Sequence, residues 1–303
     1  MGKIVDLKTV EDYNNELGVE TLNPLVSIVD MSELGGIKHG LKRFGFYCIY
    51  LKNLNCGTLQ YGRSQYDYKE GTLVFIAPGQ VAGIDDDKIS YGNKGWILMF
   101  HPDLLLGTQL AQKIKSYTFF EYSSNEALHM SDREHEIVKD CFKGIREEIS
   151  NETDKHTKQI VTATIEVFLN HCLRFYDRQF ESREPVNKDI IIQFENLLDK
   201  YFTTEAPHTI GLPSVSWCAE QVHLSPNYFG DLIKKETGNS AQEYIKGKII
   251  EQAKGLLFGT NKTVSEIAYS MGFNYPNHFS RMFKKEVGIT PNEFRSVNKK
   301  DRR

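Results

Sequence analysis

The chain repeats itself once, and that repetition constrains its fold more than any other feature of its 303 residues. At an offset of 50, Pro226-Asn227-Tyr228-Phe229 falls on Pro276-Asn277-His278-Phe279 and Lys234-Lys235-Glu236 on Lys284-Lys285-Glu286. Gly238 then meets Gly288, and Glu243-Tyr244 meets Glu293-Phe294. Upstream the offset is 49, pairing Ser214-Val215-Ser216 with Thr263-Val264-Ser265 and Ala219 with Ala268. One residue is therefore inserted in the turn of the second copy.

Each copy reads as helix, short turn, helix. In the second, Thr263 and Glu266 form a capping box, Gly272 suits a turn that needs positive φ, and Gly288 ends the next helix. In the first, Ser225 is the N-cap, Pro226 sits at the helical position where proline costs little, and Gly238 is the stop. Ser240 with Glu243 caps a long joining helix through about Leu257, and Thr290 to Glu293 caps a final short one.

Two such units joined by a helix suit successive major grooves, about 34 Å apart. Phe229/Ile233 and Phe279/Phe283, spaced four apart, are expected to face the core. Asn227, Gly230 and Asp231 then face outward in the first copy, and Asn277, Ser280 and Arg281 in the second. Asparagine pairs bidentately with adenine and arginine with guanine, each giving about 1–3 kcal/mol of discrimination. Lys234, Lys235, Lys284 and Lys285 lie one turn further on, where phosphates would run. Lysine pairs near a helix C-terminus are also simply favourable to its dipole, and a helical repeat also suits a protein-binding module.

The net charge of −3 conceals an asymmetry. From Val186 to Arg303 there are 16 Lys/Arg against 13 Asp/Glu, and from Lys262 onward 9 against 4, while the rest of the chain is acidic. A basic end beside an acidic front is expected when one domain alone meets a polyanion. No stretch approaches the roughly 18 apolar residues of a membrane span, and the N-terminus lacks the apolar core of a signal peptide, so the expected location is cytoplasmic. Cys48, Cys56, Cys141, Cys172 and Cys218 are odd in number and unpaired in spacing, which suits reduced, buried thiols rather than disulfides or zinc ligands.

The front of the chain reads as β structure. RFGFYCIYLK (Arg43 to Lys52) has apolar side chains on both alternating faces, as in a strand buried on both sides. Asn53, Asn55 and Gly57 supply a turn before TLQY, followed by GTLVFIAPGQ and GWILMF. This spacing predicts a small antiparallel sandwich or barrel. Ser131 and Glu134 then cap a helix. A longer helix over about Lys155 to Phe180 carries an apolar stripe, including Ile165, Phe168, Leu169 and Cys172. Packing on the sheet and a helix-on-helix dimer seam both fit that stripe. Glu181 to Lys188, charged and containing Pro185, is the linker candidate.

LSPNYFGDLIKKETGNSAQEYI, KIIEQAKGLL and VSEIAYSMGFNYPNHFSRMFKKEVGITPNEFR closely resemble the AraC/XylS family of bacterial transcription regulators, over about Ile190 to Arg295. The resemblance implies that Asn227, Gly230 and Asp231, then Pro276, Asn277, His278, Ser280 and Arg281, lie at the positions used in the grooves. Asp231 departs from the arginine carried by many members and would repel phosphate. The front half more loosely resembles the cupin-type sensor of that family, although Val81, Ala82 and Gly83 stand where metal-binding cupins place histidine.

The expected fold is thus α+β and multidomain. Residues 1–180 form a cupin-like sandwich or barrel with flanking dimerisation helices, 181–188 a linker, and 189–303 an all-α tandem helix-turn-helix domain. The expected partners are double-stranded DNA, a small-molecule effector, a second copy of the chain and RNA polymerase, with no membrane, metal or cofactor. Phe46, Tyr50, Trp96 and His101, aromatic or polar on otherwise apolar strands, are the effector candidates. Two readings compete: a front half that only dimerises or docks a protein, and a cupin enzyme with a helical appendage, which needs a metal or acid/base constellation that the sequence does not display.

Overall fold

The computed structural model describes residues 4–52, 58–61, 64–67, 71–90, 94–123 and 126–300. The chain divides into two compact units, Met1–Ser182 and Arg183–Arg303. The first contains β1 (Val5–Leu7), α1 (Val10–Leu17), β2 (Val26–Asp30), β3 (Ile37–Phe44), β4 (Tyr47–Lys52), β5 (Thr58–Tyr61) and β6 (Ser64–Asp67). It continues with β7 (Thr72–Ile76), β8 (Val81–Ser90), β9 (Gly95–Phe100), α2 (Gln109–Lys113), β10 (Leu128–His129), α3 (Asp132–Ser150) and α4 (Thr157–Ser182).

These strands make two five-stranded sheets, ordered β1-β3-β8-β5-β6 and β10-β7-β4-β9-β2. Neighbours are antiparallel except β1 and β3, which run parallel and depart from the all-antiparallel expectation. Residues from both sheets meet in one core: Phe44 and Ala82 from the first, Cys48, Ile76, Ile97 and Met99 from the second. Helix α1 adds Val10, Tyr13 and Leu17 to it. The other face of the second sheet lies under helices, with Phe75 stacked on Phe168 of α4 at 6.4 Å. Because this sheet is covered on both faces, every residue of β7 and β9 is buried.

The segment Arg43 to Lys52 is two strands rather than one. β3 ends at Phe44 in one sheet and β4 begins at Tyr47 in the other. Gly45 permits the crossing: its N–H donates to Leu7 O at 2.7 Å, and a Cβ there would lie 2.6 Å from Lys8 O. Apolar residues on both alternating positions therefore reflect a strand pair that changes sheets as well as a doubly buried strand. The turn residues Asn53, Asn55 and Gly57, and Cys56, lie outside the described residues.

The linker expected over 181–188 is helical apart from Arg183: α4 runs to Ser182 and α5 (Glu184–Tyr201) begins one residue later. Pro185 lies in the first turn of α5, where its missing N–H is harmless, and Glu184 pairs with Lys188 at 2.6 Å. Proline and charge there mark a helix start, not irregular chain.

The second unit continues with α6 (Ala206–Thr209), α7 (Val215–Gln221), α8 (Pro226–Thr237), α9 (Ala241–Gly259), α10 (Val264–Ser270), α11 (Pro276–Val287) and α12 (Pro291–Lys300). The capping boxes Ser240/Glu243 and Thr263/Glu266 are formed, and Gly238 and Gly288 end α8 and α11 at φ 75° and 86°. Cys48, Cys172 and Cys218 are buried free thiols, and burial pushes the Cys218 thiol up to about 12.

Gly272 holds φ 89° in the α10–α11 turn, and a Cβ would meet Gly211 O at 2.5 Å and Pro207 O at 2.9 Å. Gly272→Ala is expected to lose at least about 2 kcal/mol of stability in denaturant unfolding, from the left-handed backbone plus the clash. Gly255→Ala, in an open helical position of α9, should gain about 0.5–1 kcal/mol. Equal responses at the two glycines would refute the close approach at Gly272.

Candidate nucleic-acid interface

The turns of the two copies share a pair of backbone hydrogen bonds. In the first turn His223 N donates to Glu220 O at 3.1 Å and Leu224 N to Ala219 O at 2.9 Å. In the second, Gly272 N donates to Tyr269 O and Phe273 N to Ala268 O, both at 3.0 Å. These pairs keep the offset of 49, so Asn274 is the inserted residue, and from Tyr275 onward the offset is 50.

Burial fixes which side of each second helix is free. Phe229 and Ile233 of α8, and Phe279 and Phe283 of α11, are fully buried, as their spacing requires. Phe194 of α5 packs edge-on against Phe229 at 4.9 Å and lies 5.4 Å from Tyr244 of α9. Phe283 meets Phe294 of α12 at 5.5 Å, and Arg295 is bonded to Leu257 O at 3.2 Å. On α11 this leaves Asn277, His278, Arg281, Lys284 and Lys285 exposed, with Pro276 and Ser280 half-buried. On α8, Lys234 and Lys235 are exposed, whereas Asn227, Gly230 and Asp231 are half-buried. The outward face of α11 is therefore cationic and open, while that of α8 contains a carboxylate.

Helix α9 joins the two copies and is 19 residues or about 28 Å long. Ile245, Ile249, Ile250, Ala253 and Leu257 are all buried along it. Lys246 of α9 forms an ion pair with Glu286 of α11. Tyr201 of α5 donates to Gly211 O at 2.8 Å, in the segment that touches the Gly272 turn. The spacing between α8 and α11 is thus fixed by packing rather than by a hinge.

The four effector candidates do not converge. Phe46 and Tyr50 both meet Tyr13: its ring lies 6.5 Å from Phe46, and its hydroxyl is 2.6 Å from that of Tyr50. Trp96 is level with Leu51 in the ladder while Tyr50 is level with Ile97, so Trp96 is on the opposite face, under Arg146 of α3 at 5.6 Å. His101 lies beyond the end of β9, where Nδ1 accepts from Asp103 N at 3.2 Å. Strand alternation separates Trp96 from Tyr50, and His101 lies past the strand end. Tyr13, on a helix outside the strand pattern, is the residue that sequence reasoning missed.

The dimerisation candidates Ile165, Phe168, Leu169 and Cys172 are likewise corrected. All four are fully buried inside the first unit, with Phe168 5.1 Å from Phe142 of α3, so the stripe packs on sheet and helix. The outer face of α4 instead exposes Ile160 and Val167, at 46% and 51%. Among the described residues no group of three or more His, Cys, Asp or Glu could hold a metal, and no helix is long and apolar enough to cross a membrane.

Among known proteins, a family model described as a helix-turn-helix domain matches residues 218–296. The chain is 40% identical over 91 residues to the uncharacterized transcriptional regulatory protein YesN of Bacillus subtilis, covering 28% of this chain and 25% of that one. It is 35% identical over 83 residues to the transcriptional activator RhaS of Escherichia coli, covering 27% and 30%. A longer match, 25% identical over 187 residues, reaches the uncharacterized transcriptional regulator YijO of Escherichia coli and covers 62% of each chain. Each match covers less than two thirds of the relative's own length. The solved C-terminal domain of the response regulator yesN from Fusobacterium nucleatum is 31% identical, covers 35% of this chain and 98% of that one, and superposes with a TM-score of 0.32.

The copies differ where backbone strain is concerned. His223 adopts φ 59°, the position that Gly272 fills in the second copy, and it is exposed. A non-glycine residue there costs about 1–2 kcal/mol. His223→Gly is therefore expected to raise stability by up to about 1 kcal/mol after the entropy of glycine is deducted, read as a higher thermal midpoint. A lower midpoint would mean the imidazole contributes more than the strain costs.

Proposed function

We propose that this chain is a DNA-binding transcription regulator of the AraC/XylS type, with α8 and α11 as its two reading helices. The observation that carries the reading is the face of α11: Asn277, Arg281, Lys284 and Lys285 stand exposed above the buried anchors Phe279 and Phe283. Rigid joining through α9 suits two successive major grooves on one face of a duplex. The first unit is the regulatory part, a cupin-like sandwich that responds to a small molecule, and RNA polymerase is the protein partner at the promoter. The chain is a binder rather than an enzyme and works by occupying a site, in the cytoplasm of a bacterium.

An effector acting at Phe46 and Tyr50 must displace Tyr13 of α1, whose hydroxyl closes on that of Tyr50. Such a ligand shifts the equilibrium only by its differential affinity for the two states. For the homodimer, the exposed face of α4 replaces the buried stripe. Ile160, Ala163 and Val167 are exposed at three- and four-residue spacing, the pattern of a helix seam. A regulator that dimerises there presents four reading helices to DNA.

Selection of genomic fragments by the purified chain, followed by salt titration on the strongest, tests the main reading. A bipartite site with half-sites one turn apart and a steep salt slope is expected. On that site Arg281→Ala should lower affinity by about 10- to 100-fold, because a bidentate base contact is lost. Asp231→Ala should weaken it little or strengthen it, since a carboxylate near phosphates is removed. The reverse ranking would sink the assignment of α11 as the dominant reader. Val167→Glu is expected to turn a dimer into a monomer in sedimentation with unchanged far-UV circular dichroism; a persistent dimer would exclude the α4 face.

A further inference from the structure

Position 275 is where the second copy abandons the local chemistry of the first. Ser225, its counterpart, is 7% exposed and caps α8 by accepting from Tyr228 N at 3.3 Å. Tyr275 is also extended, at φ −134° and ψ 119° against −69° and 148° at Ser225, but offers no side-chain cap to α11. A serine cap is a readily available stabilising choice at a helix start, and its absence is a loss. In its place stands a tyrosine that is 63% exposed, in a chain whose other aromatic rings mostly pack inward. The ring is not loose. It meets His278, one turn into α11, edge-on at 5.4 Å, and it forms one wall of an open cleft with Ile210, Phe273 and Asn274. Asn274, the inserted residue, lengthens the turn immediately before it.

We propose that Tyr275 is a phosphate contact of the second reading unit, its hydroxyl donating to a backbone phosphate beside the groove that α11 enters. This rests on the DNA-binding reading above and adds a residue to it. Three features favour a phosphate. The phenol is exposed at the N-terminal end of the reading helix, the end that approaches DNA. The helix dipole makes that end favourable to negative charge, and the N-cap residue Tyr275 makes no side-chain cap bond to it. Finally, Arg281, Lys284 and Lys285 continue the same helix with cations. Tyrosine hydroxyls belong to the groups that bind phosphate oxygens and so fix orientation on the duplex without reading sequence. The contact with His278 holds the phenol in place before binding, so little side-chain freedom is lost on docking.

The test uses the full-length chain and the genomic fragment it retains most strongly, with Tyr275→Phe and Tyr275→Ser. Tyr275→Phe keeps the ring and removes the hydroxyl. Its affinity should fall about 10- to 100-fold, the effect of one hydrogen bond to a charged acceptor. The loss should be equal on the selected site and on single-base variants of it, with the salt slope unchanged because no charge is removed. Tyr275→Ser restores the cap of the first copy, so it should raise the unfolding midpoint by roughly 2 °C or more while binding at least as weakly as Tyr275→Phe. Stability and affinity then move in opposite directions, which a merely structural tyrosine does not produce. Undiminished binding by both variants would overturn the contact, and a loss confined to one base pair would overturn its assignment to phosphate. A wild-type chain that retains no DNA would overturn this proposal together with the reading beneath it.

Discussion

The second unit depends on one helix being buried along its length. Ile245, Ile249, Ile250, Ala253 and Leu257 of α9 are all buried. Neither copy has enough surface of its own to close a core: α7 and α8 complete theirs with α5 and α9, and α10 and α11 with α9 and α12. The approach of Gly211 to Gly272 adds a backbone contact at the opposite side of the second turn. A duplex repeats its groove at a fixed interval, so a binder with two reading helices gains from rigidity only if the interval between them is already correct. Burial of a shared helix supplies that rigidity without a dedicated clasp.

In the first unit the comparable constraint is a sheet covered on both faces. β4, β7 and β9 alternate side chains between the inter-sheet core and the helices, so neighbouring residues serve different layers. Tyr50 and Trp96 illustrate this. Both are aromatic, on paired strands, nearly level in the ladder, and they occupy opposite faces because their registers differ by one residue. Tyr13 reaches Tyr50 from α1 and closes a hydroxyl pair inside apolar surroundings, where each group needs the other.

Much of the second unit was legible because its signals are local. Ser240, Thr263, Gly238, Gly272 and Gly288 each act within a few residues of themselves, and the change of offset from 49 to 50 by itself places the insertion in the turn. What a buried face packs against is not local, and there the sequence was silent. The stripe Ile165, Phe168, Leu169 and Cys172 required a partner surface; only the fold identifies it as α3 and the sheet rather than a second chain. Pro185 misled for a related reason. The residue is the same in a linker and in the first turn of a helix, and Glu184 with Lys188 decides between them only once the helix exists.

The two copies have the same hydrogen-bonded frame and opposite choices within it. The first has a capped reading helix, a strained turn at His223 and a carboxylate, Asp231, on its outward side. The second has a relaxed turn at Gly272, an uncapped reading helix and Arg281 in the matching place. Strain in a turn affects folding alone, whereas an uncapped helix end and an exposed cation gain most when an anion arrives. The first copy thus closes its reading helix with its own cap, whereas the second leaves that end open ahead of Arg281. A duplicated module of this kind can alter its reading side without endangering the shared core, because Phe279 and Phe283 anchor α11 from its buried side, away from 275, 277 and 281.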